Sequence, residues 1–445
     1  MTSFQIRTSP DQADAGADHV LDWFPGSKAR STVAYEPDFL KNAVPSDVAL
    51  DFLRIGGAVF CADKVALRRD TDDGWTRDLA LSIPLSDIDL WQATAAHLER
   101  TLGFLSGDRW TLTFTELGDE PAQPLSGEQA TLPDVDAVCL FSGGLDSLAG
   151  AVDLLHAGKR VLLVGHHDSP KADHHQKLLK AKLDAAYPQQ LVEQRRMWLR
   201  PNAAHPAQAR SLPEGDDLVE STTRSRSFLF LAAAVAIADA AGPTVPVVMP
   251  ENGFIGINVP LTPSRSGSLS TRTTHPLYVA HMRALLDSVG LRYEIENPFR
   301  LMTKGEILRD SPNTQLLWSL ANDSISCSRP ETGRWQKGST AADQGNCGAC
   351  FPCLIRRASM HVVGLDRRAD YLYDAFADPR LAYPNLTGAS LRALLDSLHR
   401  PEKPSDVLIN GRIPNGEAKA FFEVYSRGRD ELRAWLSSGA HPLLP

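Results

Sequence analysis

Apolar and polar positions alternate with two different periods in the first quarter of the chain. Apolar residues recur every three to four positions in two segments, which predicts helices, and every second position in two others, which predicts half-buried strands. The helical segments are 46–64 and 87–105, and the strand segments are 77–85 and 109–117. We therefore expect a smaller α+β N-terminal domain over residues 26–118, preceded by a flexible N-terminus over residues 1–25.

A different order of elements begins at residue 136. Short apolar runs and amphipathic segments follow one another as strand, helix, strand and helix, beginning with DAVCLF and SLAGAVDLLHAG. This alternation predicts an α/β domain over residues 136–325, with a parallel sheet covered by helices. Residues 119–135 are rich in Gly, Pro and acidic residues and are expected to be a linker. Residues 326–362 carry a cysteine motif, and residues 363–445 are expected to be helical.

Composition and charge narrow the class of protein. The 445 residues are 43% hydrophobic and 22% charged, as is usual for soluble globular proteins. No segment approaches the roughly 20 consecutive apolar residues of a membrane-spanning helix. The N-terminus shows no signal-peptide pattern, so we expect a cytoplasmic location. A net charge of −8 does not favour a protein that grips a nucleic-acid backbone, although a local basic patch is compatible with it.

The turn after the first strand of the α/β region has the composition of an anion cradle. Its sequence is Ser142-Gly143-Gly144-Leu145-Asp146-Ser147. In an open parallel sheet, ligands bind beyond the carboxyl ends of the strands, where helix N-termini present free N–H groups. The two glycines let the backbone approach phosphate oxygens, the two serines add hydroxyl donors, and the aspartate is expected to cap the helix or to orient a magnesium ion.

Two better-known phosphate motifs do not fit this turn. The Walker loop requires GxxxxGK[ST], and the dinucleotide fingerprint requires GxGxxG. The alternative without a ligand is a tight strand-to-helix turn in which Ser and Asp act only as caps.

Four of the six cysteines follow the spacing C-x19-C-x2-C-x2-C. They are Cys327, Cys347, Cys350 and Cys353. Two consecutive CxxC steps bring three thiolates together, and a distant fourth completes a closed tetrahedral set, which favours structural zinc. An iron–sulfur cluster and a redox CxxC that relays sulfur are the alternatives. Cys61 and Cys139 lie in apolar runs and are expected to be core residues.

The SGGLDS turn resembles the pyrophosphate-binding loop (PP-loop) of the N-type ATP pyrophosphatases. This resemblance implies an adenine-nucleotide alpha-hydrolase-like fold and the use of ATP and Mg²⁺. It also implies a reaction in which ATP is cleaved between its α and β phosphates to adenylate a carboxylate or carbonyl oxygen. An amine, ammonia or sulfur nucleophile then displaces AMP. Fixed N–H donors at the loop would stabilise the charge that builds up on the leaving pyrophosphate.

The glycine turn and the cysteines together resemble the 7-cyano-7-deazaguanine synthases (QueC-like proteins) of queuosine biosynthesis. Their pattern of a proline after a strand, a TK-x-E-I helix and an SC…CGxCxxC knuckle is matched by NPFRLMTKGEI, SISC and CGACFPC. The resemblance covers about residues 136–362 and implies that the cysteines form a zinc-binding C-terminal cap. The chain departs from the family at position 227, where Ser follows Arg226 in place of Asn.

Two further departures concern the length of the chain and its substrate loop. Residues 1–135 and 363–445 lie outside the resemblance, and enlarged forms of this kind resemble the QueC-like proteins of Qat-type antiphage defence systems. That resemblance implies adenylation of 7-carboxy-7-deazaguanine and transfer of its acyl group to ammonia or to an amine of a partner protein encoded in the same operon. The loop after the apolar strand TVPVVM is unusually polar and is expected to bind the substrate, unless it is only solvated. Its polar residues are Glu251, Asn252, Asn258, Arg265, Ser270, Thr271, Arg272, Thr273, Thr274 and His275.

The candidate residues fall into four groups. Catalytic roles are expected for Ser142, Asp146, Ser147 and Lys304, of which Lys304 is expected to hold a phosphate or the substrate carboxylate. Nucleotide contacts are expected from the whole SGGLDS turn together with His167, Asp168 and Arg226, although these last three also suit a polar surface or a helix cap. Substrate contacts are expected from Glu251, Asn252, Arg265 and Arg272, and zinc ligation from the four cysteines.

The sequence thus predicts an ATP-dependent C–N ligase that uses Mg²⁺ and contains Zn²⁺. A tRNA-modifying enzyme of the same superfamily is a second interpretation. A nucleotide-binding scaffold or sensor without catalysis, inside a defence complex, is a third. Arg356, Arg357, Arg367 and Arg368 are expected to form a solvated helix surface.

Overall fold

The structure is a computed structural model of the chain. It describes residues 1–23, 33–35, 38–118, 132–167, 170–201, 220, 224–260, 272–328, 345–381 and 387–439. None of the described helices combines the length and the apolar character needed to cross a bilayer. Most of the linker predicted over residues 119–135 lies outside the described residues.

Four parallel strands form the N-terminal sheet, in the order β2-β1-β4-β5. The strands are β1 (Thr2–Arg7), β2 (His19–Asp22), β4 (Asp78–Leu85) and β5 (Arg109–Glu116). Two helices of 19 residues each belong to this unit. Along the chain, α1 (Asp47–Val65) precedes β4, and α2 (Ile88–Ser106) connects β4 to β5. Away from this sheet, β3 (Val33–Tyr35) pairs antiparallel with β9 (Leu199–Pro201).

This arrangement corrects two expectations. The N-terminal unit is not α+β, because α2 carries the chain back across the sheet between β4 and β5, so that both strands start at the same end and pair in parallel. The N-terminus is not a flexible segment throughout, since residues 2–7 and 19–22 are strands of the sheet. Phe4 and Ile6 alternate along β1 and are buried, a pattern too short and too polar to stand out in the sequence.

The predicted parallel sheet of the α/β domain is confirmed. Its strand order is β11-β10-β6-β7-β8, and every pairing is parallel. The strands are β6 (Ala137–Leu140), β7 (Val161–His166), β8 (Leu191–Met197), β10 (Val247–Val248) and β11 (Ile295–Glu296). Counted along the chain this is the doubly wound order 3-2-1-4-5. The order reverses between β6 and β10, and ligands of such sheets bind in the crevice at that reversal.

Seven helices belong to this α/β region in the described part of the chain. They are α3 (Leu145–His156), α4 (Pro170–Ala186), α5 (Arg226–Ala241), α6 (Gly253–Ile257), α7 (Pro276–Ser288), α8 (Lys304–Asp310) and α9 (Thr314–Leu320). Helices α3 and α4 share one hydrophobic cluster with β6 and β7. Helices α5 and α7 belong to a second cluster, which includes the alternate residues of the same two strands. The sheet is therefore covered on both faces.

The N-terminal unit and the α/β region share a core. Helix α1 packs on α5, and α2 packs on α7, so that two layers of helices lie between the two sheets. The contact between α1 and α5 is close at Gly56, where a Cβ atom would lie 2.9 Å from the Cβ of Ala232. A single hydrophobic cluster runs through both units.

Buried charges join the same two units. Ser225, which precedes α5, donates from its backbone N–H (2.9 Å) and its hydroxyl (2.6 Å) to the carboxylate of Asp63 in α1. Arg77 pairs with Asp63 and, at 2.7 Å, with Asp108. Because all four side chains are buried, each charge depends on its partner. A carboxylate of the N-terminal unit thus holds the residue at which a helix of the α/β region begins.

The C-terminal region is helical, as predicted, and forms a third cluster. It contains α10 (Phe351–Val362), α11 (Ala389–His399) and α12 (Ala418–Ser437). Helix α12 packs on α10 and also on α6 and α8 of the α/β region.

Short 3-10 helices occur in several parts of the described chain, at Arg68–Asp70, Ala321–Asp323, Arg368–Asp370, Pro379–Leu381, Pro404–Leu408 and Pro414–Gly416.

Two predicted surface arginines are buried. Arg356 and Arg357 lie on α10 and are 1% and 0% exposed. Arg356 hydrogen-bonds to Ser324 and Ala321, and Arg357 pairs with Asp366 and lies over the ring of Trp435. The expected solvated surface is therefore wrong for these two residues. Arg356 is held by groups more than 30 residues away in sequence, and Arg357 by Asp366 and the Trp435 ring.

Candidate nucleotide site and cysteine cluster

The SGGLDS turn lies at the carboxyl end of β6, at the reversal of strand order. Gly143 has φ +80°, and Gly144 is the N-cap of α3 without a side-chain cap bond. The first turn of a helix leaves N–H groups without helical partners, and they carry partial positive charge. Ser142 is exposed, and its hydroxyl lies 3.2 Å from both the Gly144 nitrogen and the Ser147 hydroxyl. The turn has the form of an anion cradle.

Two contacts from distant parts of the chain hold the backbone of this turn. The amide nitrogen of Gln176 donates to the carbonyls of Ser142 (3.2 Å) and His166 (3.3 Å), which links the ends of β6 and β7. The N–H of Ile325 donates to the carbonyl of Gly143 at 2.9 Å. The sequence did not predict either contact. Only Gln176 could have been noticed in the sequence, because it is a polar residue on the helix face that Leu179 and Leu183 bury.

Asp146 joins three parts of the chain at the strand-order reversal. One carboxylate oxygen lies 2.9 Å from the Lys304 ammonium, and the other accepts from the Asn252 side chain at 2.6 Å. Burial alone raises the pKa of Asp146, but the Lys304 charge and the hydrogen bonds outweigh it, so the pKa falls below its ordinary value. The Asp146 carboxylate is therefore ionised at neutral pH.

Glu251 follows β10 and lies against the same carboxylate. Burial, together with the negative charge of Asp146, holds the pKa of Glu251 well above its ordinary value. Glu251 is therefore harder to ionise than an exposed glutamate, and its carboxyl group shares a hydrogen bond with Asp146. The residue as a whole is half-buried.

The contacts bear on three predicted roles. Asp146 is bound to Lys304 and Asn252 instead of capping its own helix, and Mg²⁺ binding there stays a prediction. Lys304 is buried and faces Asp146, and its contact with a phosphate or the substrate carboxylate stays a prediction. The Asn252 side chain is fully buried, donates to Asp146 and accepts from the N–H of Ile255, so we assign it to holding Asp146 instead of binding substrate.

The first turn of α8 places Lys304. Thr303 and Glu306 form a reciprocal capping box at its start. The Thr303 hydroxyl also hydrogen-bonds to Glu431 of α12, and a Glu431 oxygen accepts from the Gly305 N–H at 3.3 Å. The C-terminal helix thereby fixes the start of α8 and, with it, the lysine.

The carboxyl end of β7 carries a second group of candidates. Arg226, at the start of α5, donates to the His166 ring (3.2 Å) and to the His166 carbonyl (3.1 Å). His167 lies 3.8 Å from the Asp173 carboxylate. Gln176 connects this strand end to the SGGLDS turn, so Arg226 and His167 border the same crevice edge. Asp168 lies outside the described residues.

The predicted substrate residues do not all meet. Glu251 and Asn252 lie beside Asp146, as described. Arg272 donates to the Phe104 carbonyl at 2.7 Å and lies over the Phe104 ring, so its described contacts are with α2 of the N-terminal unit. Arg265 lies outside the described residues.

The four predicted cysteines converge, and their sulfur atoms all lie within 4.8 Å of one another. The Cys327 and Cys350 sulfurs are 3.8 Å apart, and those of Cys347 and Cys353 are 3.9 Å apart. Tetrahedral zinc with Zn–S bonds of about 2.3 Å requires sulfurs roughly 3.8 Å apart. Backbone N–H groups of Ala349 and Cys350 point at the Cys347 sulfur, as in zinc knuckles. The cluster therefore fits a zinc ion that would be held by four thiolates with no open position.

The chain is 28% identical over 255 residues to a protein named "7-cyano-7-deazaguanine synthase" from Novosphingobium aromaticivorans, in an alignment that spans 53% of this chain and 94% of that protein. The chain thus has a distant relative named as a 7-cyano-7-deazaguanine synthase. No family model and no solved structure matches the chain. The similarity supports the relation to the QueC-like family that the sequence motifs suggested.

The cysteine cluster predicts the metal content of the purified protein. We expect about one zinc per chain in the wild type and a clear loss of zinc in Cys353→Ser, because a four-thiolate site loses a ligand. Cys139→Ser is the matched control, since Cys139 is also buried but lies in β6 outside the cluster. Elemental analysis by mass spectrometry measures zinc and iron together. Iron in the wild type, or full zinc in Cys353→Ser, would contradict the assignment.

Glu431 predicts a pH dependence of stability. Burial raises the pKa of Glu431 from 4.5 to about 7. Between these values the folded protein holds a proton that the unfolded chain lacks, so the stabilisation is complete below about pH 4.5 and is lost as the pH rises through 7. We expect the Tm of the wild type to fall more than that of Glu431→Gln between pH 5 and pH 8. Parallel pH profiles of the two proteins would refute the raised pKa.

Proposed function

We propose that the protein is an ATP-dependent C–N ligase. It adenylates the carboxylate of 7-carboxy-7-deazaguanine, or of a similar purine-like acid, releases pyrophosphate and passes the acyl group to nitrogen. The observation that carries the proposal is the SGGLDS turn at the N-terminus of α3, placed where the strand order reverses. The distant relative named "7-cyano-7-deazaguanine synthase" supports the choice of substrate.

The chain's own groups account for most of the chemistry. The glycine turn binds the β and γ phosphates, and its fixed N–H groups stabilise the charge that grows on the departing pyrophosphate. Ser142 and Ser147 add hydroxyl donors, and Arg226 and His167 border the nucleotide from the end of β7. Magnesium, when bound, would neutralise phosphate charge. No covalent enzyme nucleophile is needed, because positioning supplies the rate enhancement.

Glu251 and Lys304 have distinct parts in this scheme. Glu251, beside Asp146, is the proposed contact for the acid that lies in the crevice. Lys304 keeps Asp146 ionised and in place, so that the first turn of α3 stays anchored to the loop after β10. The four thiolates hold zinc as a structural ion and take no part in the reaction.

The nitrogen acceptor distinguishes two forms of the proposal. Ammonia would give an amide or a nitrile of the free base, as in biosynthesis. An amine of a partner protein would make the chain a conjugating enzyme, of the kind that its resemblance to Qat-type antiphage proteins implies. In the second form the N-terminal unit, whose helices share a core with α5 and α7, would recognise the acceptor protein.

Mass spectrometry of the products tests the proposal. The protein is incubated with ATP, Mg²⁺ and 7-carboxy-7-deazaguanine, together with ammonia or with the proteins encoded beside it. We expect AMP and pyrophosphate together with an acylated nitrogen product. A tRNA-modifying enzyme would instead form AMP only with tRNA. ATP that stays bound and unchanged in every mixture would reject the ligase and favour the scaffold.

A matched pair of glycine substitutions ties the activity to the loop. Gly143 (φ +80°) and Gly158 (φ +78°) have the same backbone conformation, so alanine strains both equally. At Gly143 the added Cβ would also lie 3.2 Å from Gln176, whereas at Gly158 it meets open space. We expect AMP formation to fall at least about tenfold in Gly143→Ala and little in Gly158→Ala. Equal rates in the two variants would contradict the role of the loop.

A further inference from the structure

A short segment connects the cysteine cluster to the glycine turn. It consists of residues Ser324–Cys327, between the 3-10 helix Ala321–Asp323 and the first thiolate. Its second residue, Ile325, donates its N–H to the Gly143 carbonyl at 2.9 Å. A Cβ atom on Gly144 would lie 3.5 Å from the Ile325 carbonyl oxygen. The segment therefore lies directly against the backbone of the turn.

One side chain holds this segment on both sides of Ile325. The Asn346 amide nitrogen donates to the Ser324 carbonyl at 3.1 Å, and its amide oxygen accepts from the Ser326 N–H at 2.9 Å. These two bonds match the pattern of a neighbouring β-strand and fix the orientation of the intervening peptide groups. Asn346 is 7% exposed, so solvent does not compete for them.

Asn346 is itself fixed by the cluster. It directly precedes Cys347, whose N–H points at the Cys327 sulfur at 3.5 Å, and its own carbonyl accepts from the Leu372 N–H. Arg356 of α10 adds a further tie, with bonds to the Ser324 hydroxyl (2.7 Å) and the Ala321 carbonyl (2.6 Å). The segment is thus held from the cysteine side at several points and presents one N–H to the turn.

We propose that Asn346 is a positioning residue of the SGGLDS turn. It fixes the Ile325 N–H against the Gly143 carbonyl and so keeps the neighbouring N–H groups of the turn aimed at the phosphates. Through it, the cysteine cluster contributes to nucleotide affinity without contacting the nucleotide. The inference rests on the proposed nucleotide role of the turn.

The variant Asn346→Ala tests this role, with Asn313→Ala as the matched control. Asn313 also makes two side-chain bonds, to the Leu316 N–H and to the Tyr187 hydroxyl, but it caps α9 and has no described contact with the turn. We expect Asn346→Ala to bind Mg²⁺–ATP on the order of tenfold more weakly by calorimetry, since two bonds that fix the segment are lost. Its zinc content should stay at the wild-type level, and Asn313→Ala should bind ATP like the wild type.

A second measurement needs no nucleotide. Hydrogen–deuterium exchange of peptides that cover residues 140–148 and 321–327 should be faster in Asn346→Ala than in the wild type and in Asn313→Ala. Ser324→Ala removes the two bonds of the Ser324 hydroxyl, to Arg356 and to the Ala321 carbonyl, but leaves both bonds of Asn346 in place. It should change both measurements in the same direction by a smaller factor.

The outcomes separate this inference from the proposed function. If the wild type does not bind ATP, the proposed function fails, and exchange alone decides whether Asn346 positions the turn. If the wild type binds ATP and Asn346→Ala matches it in affinity and exchange while retaining zinc, the positioning role is wrong. If Asn346→Ala loses zinc, Ser324→Ala decides, and unchanged affinity and exchange in that variant would overturn the inference.

Discussion

The buried ion pair between Asp146 and Lys304 connects the parts of the chain that make the crevice. Asp146 lies in the first turn of α3, Lys304 begins α8, and Asn252, which follows β10, hydrogen-bonds to the same carboxylate. Removing one partner of such a pair leaves an uncompensated buried charge, at a cost of about 3–5 kcal/mol. The geometry of the glycine turn therefore depends on this ion pair, which forms within the chain and needs no bound ligand.

The rest of the molecule supports this contact from three directions. The C-terminal helix α12 holds the start of α8 through Glu431, and the cysteine cluster holds the turn through Ile325. The N-terminal unit holds Ser225, directly before α5, through Asp63, and Arg226 at the start of that helix hydrogen-bonds to His166 at the end of β7. Residues 1–135 and 363–445, which lie outside the resemblance to the synthases, thus contain segments that pack against the helices that carry the site.

Local patterns in the sequence predicted the elements that residues close together in the chain determine. Apolar periodicity predicted α1, α2 and the strands β6, β7, β10 and β11 of the second sheet with the longer helices around them, and spacing alone predicted that the four cysteines converge. Strand β8 was missed because its sequence, LVEQRRM, is mostly polar. The strand β1 was missed because only Phe4 and Ile6 mark its buried face. Gln176, Asn346 and Glu431 were missed because each is a single polar residue whose partners lie from 10 to 128 residues away, which no local pattern records. The burial of Arg356 and the pairing of Lys304 with Asp146 escaped for the same reason.

Oxygen-18 transfer is the measurement that tests the central claim most directly. Adenylation joins a carboxylate oxygen to the α phosphorus, and the later attack of nitrogen on the acyl carbon leaves that oxygen in AMP. With 7-carboxy-7-deazaguanine labelled in its carboxylate, and ammonia or a partner protein as acceptor, the account predicts AMP that carries a single oxygen-18 by mass spectrometry. AMP without the label would mean that water attacks the nucleotide and would contradict the ligase.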